Sequence, residues 1–154
     1  MITLRAMTEE EFQAFFDYSI GEYAKEKVMS GNWAESEALE RSRKEFDELL
    51  PKGAQSEGNT LLTLVNESGE SVGYLWYAVN PRRAGRVFIY DFEVYSSFRR
   101  RGYASQALAA LEELLRPQGF KHIDLHVFGH NTPARELYKK TGYSETNINM
   151  SKDI

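Results

Sequence analysis

The chain has 154 residues, a formal net charge of −4 at pH 7, a pI near 5.5 and no cysteine. The lack of cysteine excludes disulfides, thiolate zinc sites and a cysteine nucleophile, and it fits a reducing compartment. The acidic balance argues against a nucleic-acid partner, and no apolar run approaches the roughly 20 residues of a membrane span. We therefore expect one domain covering residues 1–154 in a soluble, cytoplasmic protein without a membrane partner.

The first half of the chain predicts a strand, two helices and two further strands. Residues 2–7 have strand character, and Thr8 followed by Glu11 forms a capping box that opens a helix. A second helix is predicted from about Trp33 to Leu50, with its inward face formed by Leu39, Phe46, Leu49 and Leu50. Strands follow at 60–66 and 71–79, separated by a turn.

The second half predicts a strand at 86–95, a helix at 102–116 and a strand at 121–128. Thr132 is expected to cap a helix that stops at Gly142, and residues 143–152 form a last strand. The predicted order is therefore β-α-α-β-β-β-α-β-α-β. A βαβ unit makes strands 86–95 and 121–128 parallel, while their antiparallel neighbours give a mixed sheet. The fold class is α+β, or α/β in looser usage.

The turn at residues 99–104 is the most informative stretch of the sequence. A strand that runs directly into a helix aims the free N–H groups and the positive dipole end of the helix at the turn, which suits phosphate. Arg99, Arg100 and Arg101 add charge, and Gly102 allows a ligand to approach the backbone closely. Taken alone, the pattern also fits an ordinary βα turn with solvated arginines.

Arg99-x-x-Gly102-x-Ala104, followed by Asn131, Tyr138 and Thr141-Gly142-Tyr143, resembles the GNAT superfamily of acyl-CoA-dependent N-acetyltransferases. The likeness extends over nearly the whole chain and is closest to small bacterial members of undefined substrate. It implies splayed central parallel strands, acetyl-CoA as cosubstrate and no metal. The cofactor-binding residues that it implies are Phe92, Glu93, Val94, Arg99, Arg100, Arg101, Gly102, Tyr103, Ala104, Asn131 and Tyr138.

The implied reaction moves an acetyl group from acetyl-CoA to a primary amine, which belongs to a small molecule or a peptide. Because the chain lacks cysteine and a Gly-x-Ser-x-Gly elbow, we expect direct attack in a ternary complex. The family position of Tyr138 makes it the general acid toward the coenzyme A thiolate. For Asn131, contact with coenzyme A competes with a role as a polar residue ahead of a helix cap. For Tyr138, the role of general acid competes with core packing.

Three candidates for the general base remain: Glu93, His126 and an ordered water. If Asp91, Glu93, Asp124 and His126 share one face, they form an acidic wall suited to a cationic amine. The three histidines at positions 122, 126 and 130 do not predict a metal site, because residues four apart on a strand are about 13 Å apart.

A non-catalytic acyl-CoA sensor of the same fold is the alternative function. A homodimer is compatible with either function.

Overall fold

The computed structural model describes all 154 residues, and the order of its helices and strands agrees with the sequence prediction as far as the last helix. Thr8 opens the first helix through a complete capping box with Glu11. The elements are β1 (Thr3–Ala6), α1 (Glu9–Met29), α2 (Glu35–Leu49), β2 (Asn59–Val65), β3 (Ser71–Val79), β4 (Arg86–Val94), α3 (Tyr103–Leu115), β5 (His122–Leu125) and α4 (Thr132–Lys140).

The five strands form one mixed sheet in the order β1-β2-β3-β4-β5, which confirms the predicted α+β class. All neighbours are antiparallel except β4 and β5, which are parallel. Their pairing ends at Ile89 and Leu125, although β4 continues to Val94. The edge of β4 is therefore open from Tyr90 to Val94, as expected for splayed central strands, and β5 is shorter than the predicted strand 121–128.

The helices cover both faces of this sheet. α1 and α2 pack on one face against aromatic residues of β3, and α3 and α4 pack on the other. The predicted inward positions Leu39 and Leu49 of α2 are wrong, since both side chains are exposed. The buried stripe of α2 instead contains Ala38, Ser42 and Phe46. Its small residues let the two helices approach closely enough for Ser42 Oγ to donate to a backbone carbonyl of α1 at 2.7 Å.

A β-bulge at Tyr90 changes which side chains of β4 face α1. Ile89 and Asp91 pair with consecutive residues of β3, so Tyr90 has no partner there. Such a bulge re-aims the side chains that follow it. Ile89 and Val94 consequently both face the α3 side, although they are an odd number of residues apart. Asp91 and Glu93 point to the α1 side.

The predicted last strand, 143–152, is not formed. Residues 143–154, here called the tail, contain no helix or strand, because their backbone pairs with no other strand of the chain. Ile148 and Met150 are 69% and 91% exposed. None of the helices of the fold is long and apolar enough to cross a membrane.

Candidate active site

The turn between β4 and α3 presents a row of backbone donors that the protein itself does not use. The N–H groups of residues 100–105 donate no hydrogen bond to any other group of the chain. Gly102 is the N-cap of α3, has a φ of 79° and supplies no side-chain cap. Arg100, with a φ of 63°, is the one non-glycine residue at positive φ. Left-handed backbone at both positions turns the chain so that the helix dipole and these donors share one concavity.

The side chains of the turn are largely engaged elsewhere. Arg99 donates through Nε to the Val94 carbonyl at 3.0 Å, and Arg101 lies over the Phe98 ring at 5.6 Å. Tyr103 is buried and donates to a carboxylate outside the turn, while the half-buried Ala104 packs against the core. The turn therefore offers its backbone to a ligand more than its side chains.

The open edge of β4 leads into this turn. Tyr95 N–H donates to the Val72 carbonyl of β3 at 2.8 Å. Since successive backbone groups of a strand alternate in direction, the Val94 N–H points to the other edge, which has no neighbouring strand there. The Val94 carbonyl accepts from Arg99 on that same side. Phe92 is half-buried and packs against the α3 side of the core.

A cluster of polar side chains, which we call the carboxylate cluster, lies on the α1 face of β4. It consists of Tyr18, Tyr74, Asp91 and Glu93. Tyr18 Oη donates to Glu93 Oε1 at 2.9 Å, and Tyr74 Oη lies 3.1 Å from Glu93 Oε2. Arg99 Nη2 donates to Glu93 at 3.3 Å. Three donors thus hold a carboxylate whose side chain is only 22% exposed.

Asp91 is the second carboxylate of this cluster. Its Oδ1 lies 3.3 Å from Tyr74 Oη, which also accepts from Ser19 Oγ at 3.3 Å. Burial, together with the nearby charge of Glu93, raises the pKa of Asp91 to about 7, against hydrogen bonds that lower it. Asp91 therefore keeps its proton up to near-neutral pH.

Tyr138 lies on the other face of β4, where it is half-buried and packs against the α3-side core, as Phe92 does. Its ring makes an edge contact with Tyr143 at 5.4 Å, and its hydroxyl forms no hydrogen bond with any protein group. Burial raises the pKa of Tyr138, and the charges of Tyr143 and Asp91 contribute in the same direction. The hydroxyl is therefore protonated across the physiological range and is free to donate.

The predicted four-residue acidic wall is wrong in part. Asp124 is held by two 2.8 Å hydrogen bonds to Arg86, at the far end of β4 from Glu93. His126 is exposed and has no hydrogen bond to Asp91 or Glu93. Partial desolvation and the charge of Lys27 lower the pKa of His126. Of the four, only Asp91 and Glu93 come together.

Asn131, not the predicted Thr132, is the N-cap of α4. Its Oδ1 accepts from the Ala134 N–H at 3.2 Å, whereas its Nδ2 makes no hydrogen bond to the protein. His130 lies beside it and contacts Glu26 of α1 at 2.7 Å. No group of three His, Asp or Glu side chains converges to hold a metal ion.

Sequence reasoning missed two members of the carboxylate cluster. Tyr74 reads as a core residue of a strand, and its ring is indeed buried, but its hydroxyl bridges two carboxylates. Tyr18 is 44% exposed and donates to Glu93, a contact that no local sequence pattern indicates.

Comparison with known proteins places this geometry in a family. The model of the Acetyltransferase (GNAT) family matches residues 12–143. The chain is 41% identical over 153 residues to the uncharacterized N-acetyltransferase YdgE of Bacillus subtilis (strain 168), covering 99% of this chain and 98% of the relative. It is 41% identical over 154 residues to YycN of the same strain, covering 99% of each.

Two solved structures extend this comparison. The YycN crystal structure superposes on 100% of this chain and 99% of its own with a TM-score of 0.95. The fold is also that of AAC(6')-Iy in complex with a bisubstrate analogue, CoA-S-monomethyl-acetylneamine, at a TM-score of 0.57 and 19% identity over 100% and 98% of the two chains. The chain therefore belongs to the GNAT family, and it is an acyltransferase of the N-acetyltransferase type.

Proposed function

We propose that this protein moves an acetyl group from acetyl-CoA to a primary amine by direct attack within a ternary complex. The observation that carries the proposal is the row of unused N–H groups at residues 100–105, which continues the open edge of β4. The side chain of Glu93 lies on the α1 face of β4, where an amine that approaches from the α1 side would meet it. GNAT relatives use acetyl-CoA, which supplies an activated thioester when bound.

The unused donors fit the chemistry of coenzyme A. The N–H groups of the 99–104 turn suit the pyrophosphate, with Arg99, Arg100 and Arg101 supplying charge around it. The open edge at Phe92, Glu93 and Val94 can pair with an extended amide chain, as an added strand would. We assign the Val94 N–H to the thioester carbonyl, where negative charge develops. Asn131 Nδ2, which the helix cap leaves free, is a further donor for the extended amide chain of coenzyme A.

Two groups handle the protons. Glu93 accepts a proton from the attacking amine, a carbon–nitrogen bond forms, and the carbon–sulfur bond breaks. Tyr138 donates its hydroxyl proton to the departing sulfur, a role that its free hydroxyl supports, and burial keeps that hydroxyl protonated by raising its pKa. Tyr18 and Tyr74 hold Glu93 in position. His126 and an ordered water are the competing bases, and His126 lacks any contact with the carboxylate cluster.

The same cluster bears on the acceptor. Two carboxyl groups, of which Asp91 ionises near pH 7, and two hydroxyls form a site that favours a cation over an anion. We therefore expect a cationic primary amine, on a small molecule or on a peptide.

The test is a thermal-shift titration with acetyl-CoA, followed by a panel of amines with release of the coenzyme A thiol as readout. The chain has no cysteine, so the protein contributes no thiol signal. Acetyl-CoA should raise the Tm, and at least one amine should give saturable thiol release. No stabilisation by acetyl-CoA would refute the proposal. Tight binding without turnover across the panel would favour the sensor instead.

Matched variants separate the residue roles. Tyr138→Phe should abolish most turnover, whereas Tyr143→Phe should retain it, because the Tyr143 hydroxyl is buried without any partner. Glu93→Gln should lower kcat far more than His126→Gln does. The reverse ranking would make His126 the base, and equal small effects would leave water in that role.

A further inference from the structure

One hydroxyl group joins the two carboxyl groups of the carboxylate cluster. Tyr74 Oη lies 3.1 Å from Glu93 Oε2 and 3.3 Å from Asp91 Oδ1, and it accepts from Ser19 Oγ at 3.3 Å. A phenol hydroxyl has one proton to donate and can accept two hydrogen bonds. Tyr74 can therefore donate to only one of the two carboxyl groups at a time. The other contact is a hydrogen bond only when that carboxyl group carries a proton and donates it to Tyr74 Oη.

The contacts of Tyr74 are all hydrogen bonds when the two carboxyl groups share one proton. If Asp91 carries that proton, Asp91 donates to Tyr74 and Tyr74 donates to Glu93. If neither group carries a proton, two carboxylates compete for one phenol proton, and one of them lies within 3.3 Å of an oxygen with no proton between them. Like charges at such short range disfavour the ionisation of both groups.

The surroundings favour Asp91 as the group that carries the proton. Arg99 binds Glu93, whereas no lysine, arginine or histidine pairs with Asp91. Burial without a cation favours the neutral form of a carboxyl group, and the pKa of Asp91 is raised to about 7. The titratable and charged groups around the pair, from each element packed against it, are Tyr18, Tyr74, Tyr95, Arg99 and Tyr138.

We propose that Asp91 is a positioning residue for the acetyl transfer. Its protonated carboxyl group donates to Tyr74, which commits the only hydroxyl proton of Tyr74 to Glu93 and holds that carboxylate where the amine arrives. The role depends on Glu93 being the base of the proposed reaction, and it requires no contact between Asp91 and the amine. When Asp91 loses its proton, the Tyr74 proton is divided between two carboxylates and Glu93 loses part of its support.

Asp91→Asn tests this role, because the asparagine amide can donate to Tyr74 at every pH. The ratio of kcat/KM for Asp91→Asn to kcat/KM for the wild type cancels the ionisation of the amine, which both proteins share. This ratio should rise by about 10-fold between about pH 6 and about pH 9, since only the wild type loses a hydrogen bond to a charged group. Asp17→Asn removes the same charge from an exposed position of α1 and should give a constant ratio. A ratio for Asp91→Asn that stays constant or falls overturns the proposal.

A measurement without substrate separates this proposal from the proposed acetyl transfer. In protein labelled with ¹³C at the glutamate carboxyl carbons, the Glu93 resonance is the one that Glu93→Gln lacks. It should shift as Asp91 titrates near pH 7, because the Tyr74 proton then leaves Glu93 for part of the time. The shift should be absent in Asp91→Asn and smaller in Tyr74→Phe.

A Glu93 resonance that does not respond near pH 7, or that responds as strongly in Tyr74→Phe as in the wild type, overturns the proposal. The expected shift in a protein that acetylates no amine of the panel would support the shared proton and refute the proposed reaction instead.

Discussion

Gly73 of β3 offers the sharpest test of how β4 is positioned. It lies opposite Val94, and a Cβ at this position would lie 2.1 Å from the Glu93 carbonyl oxygen. Carbon–oxygen contacts rarely close below about 3.3 Å, so Gly73→Ala must separate the two strands by about 1 Å. The strain should cost about 1–3 kcal/mol of stability. Because the shift moves the Val94 N–H, kcat/KM should fall by about 100-fold.

Thermal unfolding and steady-state kinetics with the best amine of the panel measure the two effects. Gly21→Ala is the control for stability, because Gly21 lies inside α1 with no atom within 4 Å of its added Cβ. That substitution should stabilise the protein by about 0.5–1 kcal/mol. If Gly73→Ala keeps the Tm and kcat/KM of the wild type, the described pairing of β3 and β4 is wrong. If only its Tm falls, the Val94 N–H has no part in catalysis.

Three further outcomes are expected. Tyr138→Phe should lower kcat by about 100-fold or more with little change in the KM for acetyl-CoA. A change in KM alone, with kcat unchanged, would contradict the acid role. Thr8→Ala removes the capping box of α1 and should cost about 1 kcal/mol in urea unfolding without loss of kcat. The free energy of unfolding of the wild type should fall, relative to Asp91→Asn, as the pH rises from about 4 to about 7. Over that range folded Asp91 keeps a proton that the unfolded chain releases near 3.8, and a constant difference between the two proteins would refute this.

The sequence predicted best the features that depend on residues close together in the chain. A capping box spans four positions, and Gly102 marks a left-handed N-cap within the motif that surrounds it. The strand and helix that flank the motif follow from periodicity over about ten residues. Fold class and family depend on the order of such local signals, and both were therefore predictable.

The carboxylate cluster depends on contacts that no local pattern encodes. Tyr18 and Glu93 are 75 positions apart, and their hydrogen bond exists only because α1 crosses β4 at that level. The bulge at Tyr90 has no glycine or proline to mark it, yet it decides that Glu93 and Asp91 face α1. The tail was predicted as a strand because its apolar and polar residues alternate, as they do in strands. A strand also needs a neighbouring strand to pair with, and the sequence pattern alone does not say whether one is in reach.

Arg99 contacts both of the sites that we propose for the two substrates, so it is placed to couple their binding. Its guanidinium is shared between the Val94 carbonyl, on the edge of β4 proposed for the cofactor, and Glu93, the base proposed for the amine. An anion that draws this group toward the turn takes a positive charge away from Glu93, which then attracts a cation more strongly. Linkage makes the effect mutual, so a bound cation would increase the affinity for the anion by the same factor. Replacing Arg99 with glutamine should uncouple the two binding constants.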